Sequence, residues 1–217
     1  MMIDVVLVDG QRLVRQGVRC ILESAGGIHV VAEFERGEDV LRYARLSRPD
    51  VVVLDLKISG IGGLETIRRL RAIDERIGVV VLTAHSDQPY PARSLAAGAC
   101  GFAHKGCDSR EITEAIRKAH TGCRYLSREV ANGMALASVS QDVTANPFMA
   151  LTQREFQVVS GIFEGYTPKQ IARWLGVSPK TVSTYRSRIY DKLGVSTETQ
   201  LARMAIRHSI IDEEISE

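Results

Sequence analysis

PDVVVLDLKISGIGGLE, residues 49–65, decides the fold. Its core, Val51–Leu54, is a short aliphatic run with no polar alternation, and it stops at an acid, Asp55. A run of this kind reads as a strand of a parallel sheet covered on both faces. Glycines at 60, 62 and 63 then punctuate a loop. Beyond them Leu64, Ile67 and Leu70 recur at helical spacing. The stretch is therefore one strand–acid–loop–helix unit.

Working outward, the same unit recurs. Ile3–Asp9 is an apolar run ending in an acid, followed by Leu13, Val14, Gly17, Val18, Ile21 and Leu22 at helical spacing. His29–Phe34 reads as a second strand and Glu38–Ser47 as a second helix. After the quoted unit, Val79–Leu82 is a fourth strand ending at Thr83, with a weaker helix over Pro91–Ala97. Cys100–Ala103 is a fifth strand, and Ile112, Ala115, Ile116 and Ala119 mark a fifth helix. Five such repeats predict an α/β doubly wound, flavodoxin-like domain of five parallel strands over residues 1–122. Residues 123–147 hold one helical stretch, Arg128–Val139, and then SVSQDVTANP, a linker. From Phe148 to about residue 212 the pattern is helical throughout. Helix starts are signalled by Thr152 with Glu155, by Thr167 before Pro168 and by Ser178 before Pro179. This predicts a small all-α four-helix domain over 148–212, followed by an acidic tail, 213–217.

Composition narrows the class. The chain has 217 residues, 45% hydrophobic and 25% charged, as in ordinary globular proteins. Its apolar runs fall well short of the roughly 20 residues that span a membrane, and the start lacks a basic leader, so no membrane role and a cytoplasmic location are expected. The four cysteines (Cys20, Cys100, Cys107, Cys123) form no C-x-x-C pair and read as free thiols. No two of the five histidines stand four apart on one helix, which gives zinc little support. Net charge is only +2, so any nucleic-acid face must be local.

In a doubly wound sheet, function gathers at the carboxyl ends of the strands. Asp9, Asp55 and Thr83 stand at such ends, and Lys105 follows the fifth strand. An aspartate after a strand is ordinarily a cap or turn residue, so the weight lies in the joint pattern. Asp55 can act as a nucleophile toward a phosphoryl group. Magnesium would neutralise the repulsion, Lys105 would pair with phosphoryl oxygens, and the Thr83 hydroxyl would bond to them afterwards.

The segments VVLVDGQRLVRQG, PDVVVLDLKISGIGGLE, VVVLTAH and GACGFAHKG resemble the receiver domain of bacterial response regulators. The resemblance implies that Asp55 accepts a phosphoryl group from a sensor histidine kinase. It makes Lys105 the phosphoryl-pairing lysine, Thr83 the switch hydroxyl and Phe102 the switch aromatic. Lys57 and His85 would flank the phosphoryl group and tune its lifetime. Mg2+ would be held by Asp9, Asp55 and Lys57. Receivers normally carry two adjacent acids after the first strand; here they read Asp9-Gly10. Gly10 replaces the acid that usually contacts the metal directly, and Ser59 replaces the family's proline. Loss of even an indirect partner weakens a metal site about 10- to 100-fold, so weak magnesium binding and slow phosphorylation are expected. The other reading is that Gly10 is harmless and Asp9 shifts to bind the ion.

The second signal lies in the helical domain. Pro168–Leu175 is a short amphipathic helix, Gly176–Val177 a turn, and Ser178 caps a helix running to about Leu193, the layout of a helix-turn-helix. Residues 168–192 carry six basic side chains and one acid, 6 − 1 = +5. Val182, Ile189 and Leu193 are expected to face the core, leaving Lys180, Thr181, Ser183, Thr184, Ser187 and Arg188 exposed. On charge alone, a basic solvated helix in an ordinary bundle is the plainer reading. L-T-x-R-E at 151–155, G-x-x-x-x-x-I-A at 165–172, S-P-K-T-V at 178–182 and K-L-G-V at 192–195 resemble the LuxR-type DNA-binding domain. Together the two resemblances match the NarL/FixJ class of response regulators. KISGIGGLE, SPKTVSTYRSRIYDKL and AIRHSIID are most similar to the global-activator branch (GacA/UvrY). This implies double-stranded DNA as partner. Ser183, Thr184 and Ser187 would read bases, and Lys180, Thr181, Tyr185 and Arg188 would contact backbone. Thr197–Arg207 would pair two domains through Leu201, Ala205 and Met204, giving a homodimer.

The sequence thus implies a non-enzymatic transcription factor controlled through its receiver. A phosphorylation-independent DNA-binding regulator is the alternative. An aspartate-nucleophile phosphatase is disfavoured, because such enzymes need a second Asp two residues after the nucleophile and this chain has Lys57. A pure interaction module remains a further reading.

Overall fold

The computed structural model describes residues 2–84, 89–139, 146–208 and 210, without the side chains of 136–139. His85 and the tail 213–217, both singled out above, lie outside the described residues. Residues 87–89 aside, the chain divides into two compact units, one running to residue 132 and one from residue 133.

The first unit runs β1 (Ile3–Val8), α1 (Arg12–Ser24), β2 (Ile28–Phe34), α2 (Gly37–Ser47), β3 (Val51–Leu54), α3 (Gly63–Ile73), β4 (Gly78–Thr83), α4 (Tyr90–Ala97), β5 (Gly101–His104), α5 (Ser109–His120) and β6 (Tyr125–Leu126), and then enters α6 (Arg128–Val139). All paired strands are parallel, in the order β2-β1-β3-β4-β5-β6. The expected five strands are thus six. Two residues carry no readable period, so β6 leaves no signal in the sequence. It forms because the outer edge of β5 is open: Tyr125 N–H donates to Cys100 O and Ser127 N–H to Phe102 O. The sheet therefore reaches past residue 122 into the stretch read as linker.

The strands are apolar throughout because both faces are covered. Ile3, Val5, Leu7, Val51, Val53, Val80, Leu82 and Ala103 pack with Leu22 of α1 and with Ile112, Ala115, Ile116 and Ala119 of α5. Their neighbours along the strands, Val6, Val52, Leu54, Val79, Val81 and Phe102, point to the opposite face and are fully buried. Each such side chain contributes roughly 1.5–3 kcal/mol by leaving water, which holds the strand ends rigid.

The second unit holds α7 (Gln153–Phe163), α8 (Pro168–Leu175), α9 (Pro179–Leu193) and α10 (Glu198–Arg207), preceded by one 3-10 turn over Pro147–Ala150. Thr152 with Glu155, and Thr167 with Gln170, form capping boxes, and Ser178 caps α9 by accepting from Thr181 N–H. Gly176 and Gly194 end α8 and α9 in the left-handed conformation. Among the described residues, no helix is long and apolar enough to cross a membrane.

Candidate functional site

The strand order reverses between β1 and β3. That switch point is where an open α/β sheet of this order leaves a crevice beyond its carboxyl ends. Asp9 and Asp55 stand on its two sides. Their backbones are pinned by the strand beside each: Asp9 N–H donates to Phe34 O and Asp55 N–H to Val8 O. Both carboxylates are nearly buried, at 7% exposure each. Lys105 reaches over from the end of β5 and joins them. Its Nζ lies 2.6 Å from Asp9 Oδ2 and 2.8 Å from Asp55 Oδ2. The remaining oxygens accept backbone donors: Gln11 N–H at 2.7 Å on Asp9 Oδ1, and Lys57 N–H at 3.2 Å on Asp55 Oδ1. Burial alone would lower the Lys105 pKa. The hydrogen bonds and charges of Asp55 and Asp9 together outweigh burial and hold the ammonium above its ordinary value.

Gly10 is exposed, and a Cβ built there meets nothing within 4 Å. Its backbone is not in the left-handed region, so no local geometry demands glycine. Gly63 is the opposite case. A Cβ there would lie 2.6 Å from Leu56 Cα and 2.9 Å from Asp55 O, so glycine lets the start of α3 press against the residues leaving β3. The loop between β3 and α3 is tied on its far side: Ser59 bridges Arg36, and Ile61 N–H donates to Glu38 Oε1. Thr83 and Phe102 are fully buried. Lys57 is half-buried.

Arg15 escaped the sequence reading. Its guanidinium is buried in α1, donates to the carbonyl of Asp9 and pairs with Glu33 at 3.3 Å and Glu35 at 2.9 Å. It therefore fixes the backbone that carries Asp9. The signal was available: Arg15 shares its helical face with Val18 and Leu22, the face that packs on the sheet.

The metal that the resemblance implies needs few protein oxygens, because Mg2+ keeps several waters and takes one or two carboxylates. Asp9 and Asp55 supply two. Among the described residues, no group of three or more His, Cys, Asp or Glu that could hold a metal ion is found.

In the second unit, Val182, Ile189 and Leu193 are the buried side of α9. Lys180, Ser183, Thr184, Ser187 and Arg188 are exposed, and Thr181 and Tyr185 half-exposed. The Ser183, Thr184 and Ser187 hydroxyls donate to the carbonyls of Pro179, Lys180 and Ser183, one turn back. Two of the six cations counted above are already paired. Arg186 Nη2 lies 2.6 Å from Glu198 Oε1 of α10, and Lys192 Nζ 2.7 Å from Glu155 Oε2 of α7. Burial would raise the Glu155 pKa, but Lys192 and the Thr152 backbone N–H more than offset it and hold the carboxyl below its usual value. The expected pairing surface on α10 needs correction. Leu201 and Ala205 are fully buried in the single chain and so present no free surface to a second copy; Met204 is half-buried.

Known proteins match both units. Residues 5–117 match the response regulator receiver domain, and residues 149–205 the bacterial regulatory proteins of the luxR family. The chain is 39% identical over 213 residues to response regulator UvrY of Escherichia coli strain K12, covering 98% of each chain. It is 41% identical over 211 residues to response regulator GacA of Pseudomonas aeruginosa, covering 97% of this chain and 99% of that one. In fold it is similar to RcsB from Salmonella enterica serovar Typhimurium bound to promoter P1flhDC, with a TM-score of 0.68 and 22% identity over 94% of this chain and 98% of that one. Length, domain order and both motif sets agree: this chain belongs to the response regulators that join a receiver to a LuxR-type DNA-binding domain, the family of UvrY and GacA.

Proposed function

We propose that this response regulator takes a phosphoryl group on Asp55 from a sensor histidine kinase, and that its receiver thereby governs how two copies of the helical domain engage double-stranded DNA. The observation that carries this reading is the clasp at the switch point, in which one ammonium joins two buried carboxylates. In the transfer, an Asp55 oxygen bonds to phosphorus as the bond to the donor breaks, and the donor leaves with the electron pair. Lys105 then has phosphoryl oxygens to pair with, and the buried Thr83 hydroxyl lies on the adjacent strand end. Asp9, Asp55 and the Lys57 backbone would hold Mg2+, which screens the charge of the incoming phosphate. On α9, Ser183, Thr184 and Ser187 read base edges, and Lys180, Thr181, Tyr185 and Arg188 hold the DNA backbone.

Gly10 weakens the metal side of this pocket. A second reading follows from that residue together with Lys105: the chain binds DNA without needing phosphate, the lysine offsetting one of its two carboxylate charges. One experiment separates the readings. Mg2+ is titrated and Asp55 acylphosphate formation from a small phosphodonor is followed in the wild type and in Gly10→Asp, whose new side chain has open space. At least a tenfold gain in apparent Mg2+ affinity and faster acylation in Gly10→Asp are expected. Equal behaviour of the two proteins defeats the weak-metal reading. Unchanged promoter binding and reporter output in Asp55→Ala favours the phosphate-independent one.

A further inference from the structure

His104 closes β5, between Phe102 and Lys105, and neither the family resemblance nor the acid pocket gives it a task. Its ring is held at both nitrogens. Gly106 N–H donates to Nδ1 at 2.9 Å, and Nε2 lies 3.1 Å from the carbonyl oxygen of Ala84. Because Nδ1 accepts, the ring proton of the neutral form sits on Nε2, where it donates to Ala84. Ala84 is the residue that leaves Thr83. The strand pairing sets Thr83 opposite His104, and the Lys105 N–H donates to Thr83 O at 2.8 Å. Backbone and ring together therefore tie the exit of β4 to the strand that carries Phe102 and Lys105.

We propose that His104 is a positioning residue of the receiver switch, acting as a latch: its Nε2–H holds the Ala84 carbonyl and thereby sets where Thr83 stands relative to Lys105. It touches no phosphoryl group and acts through Ala84. The proposal rests on the reading of Thr83 as the switch hydroxyl. It goes beyond that reading by naming what resists or permits the hydroxyl's movement. Any inward shift of Thr83 must carry the Ala84 carbonyl with it, so the latch either breaks or moves with β5.

Three substitutions dissect the ring. His104→Gln places an amide N–H where Nε2 stands and keeps the Ala84 bond. His104→Asn places an amide oxygen where Nδ1 stands and keeps only the Gly106 bond. His104→Leu keeps neither. In the full chain, hydrogen exchange of the Lys105 amide, which donates to Thr83 O, is expected to quicken about fivefold in the Asn and Leu variants, the equilibrium change that one neutral hydrogen bond makes. The Gln variant should exchange like wild type. The second readout is the ratio of DNA affinities with and without beryllofluoride, which should shift by a similar factor in Asn and Leu and be restored in Gln. Should Leu fail to fold, the Asn and Gln pair decides. Equal protection in Asn and Gln, or an unaltered beryllofluoride ratio in an Asn variant whose exchange has quickened, overturns the proposal. The exchange measurement needs no phosphoryl group. A wild type that ignores beryllofluoride while the exchange pattern holds defeats the Asp55 reading and leaves the latch contact standing.

Discussion

Salt dependence puts a number on the electrostatics of the helix-turn-helix. The segment Pro168–Lys192 carries six cations. The structure commits two of them elsewhere, Arg186 to Glu198 at 2.6 Å and Lys192 to Glu155 at 2.7 Å. Lys169, Arg173, Lys180 and Arg188 remain, all exposed. Each phosphate neutralised contributes about −0.9 to the slope of log K against log salt, so the four together give at most about −3.6 per domain. Raising salt fourfold, from about 50 to about 200 mM, then costs this segment about 150-fold in affinity per domain. The assay is fluorescence anisotropy of the full chain on a labelled duplex across a salt series. Lys180→Ala and Arg188→Ala should each flatten the slope by about 0.9. Arg186→Ala and Lys192→Ala should leave it unchanged, even where they weaken binding by disturbing α9. A full-unit flattening in Lys192→Ala would show that its ammonium leaves Glu155 for a phosphate, and the reasoning would be wrong.

Lys105→Met strips the cation from two buried carboxylates, and removing one partner of such a cluster typically costs about 3–5 kcal/mol. The variant should unfold at lower urea at neutral pH. It should regain stability as the pH falls or Mg2+ is added, because protons or the metal then do what the lysine did. A pH-independent loss would refute this. Glu155→Ala removes a helix cap and an ion pair at a buried position and should lower the stability of the helical unit by about 2–3 kcal/mol. Because the folded Glu155 pKa is depressed, its stabilisation is complete above the ordinary value of 4.5 and is lost as pH falls through the lower folded value. Wild type and Glu155→Ala should therefore converge in urea midpoint at acid pH, and an equal gap at every pH would sink the assignment.

What the sequence disclosed, and what it withheld, divides along one physical line. Aliphatic runs such as Val51–Leu54 and Val79–Leu82 announce strands because burial on both faces leaves no room for polar residues. Caps such as Thr152 and Ser178 announce helix starts because they act within four residues. β6 was silent, since its two residues obey the edge of β5 and no pattern of their own. Leu201 and Ala205, which the resemblance puts on a pairing surface, are buried in the single chain, and an apolar residue looks the same in sequence whether it packs its own core or another copy. The charges of Arg186 and Lys192 could be counted from the sequence but their pairing could not, because their partners lie in other helices. The acid pocket obeys the same division. The order Asp9, Asp55, Thr83, Lys105 could be read from strand ends, but the sharing of Lys105 between both acids could not. That sharing gives Gly10 its meaning. No close contact or left-handed backbone requires glycine there, so an acid has room at that position. A third acid would leave two excess negative charges beside one ammonium, the charge a divalent ion offsets. With glycine, Lys105 leaves a single excess charge, and on the proposed weak-metal reading the demand for Mg2+ falls with it.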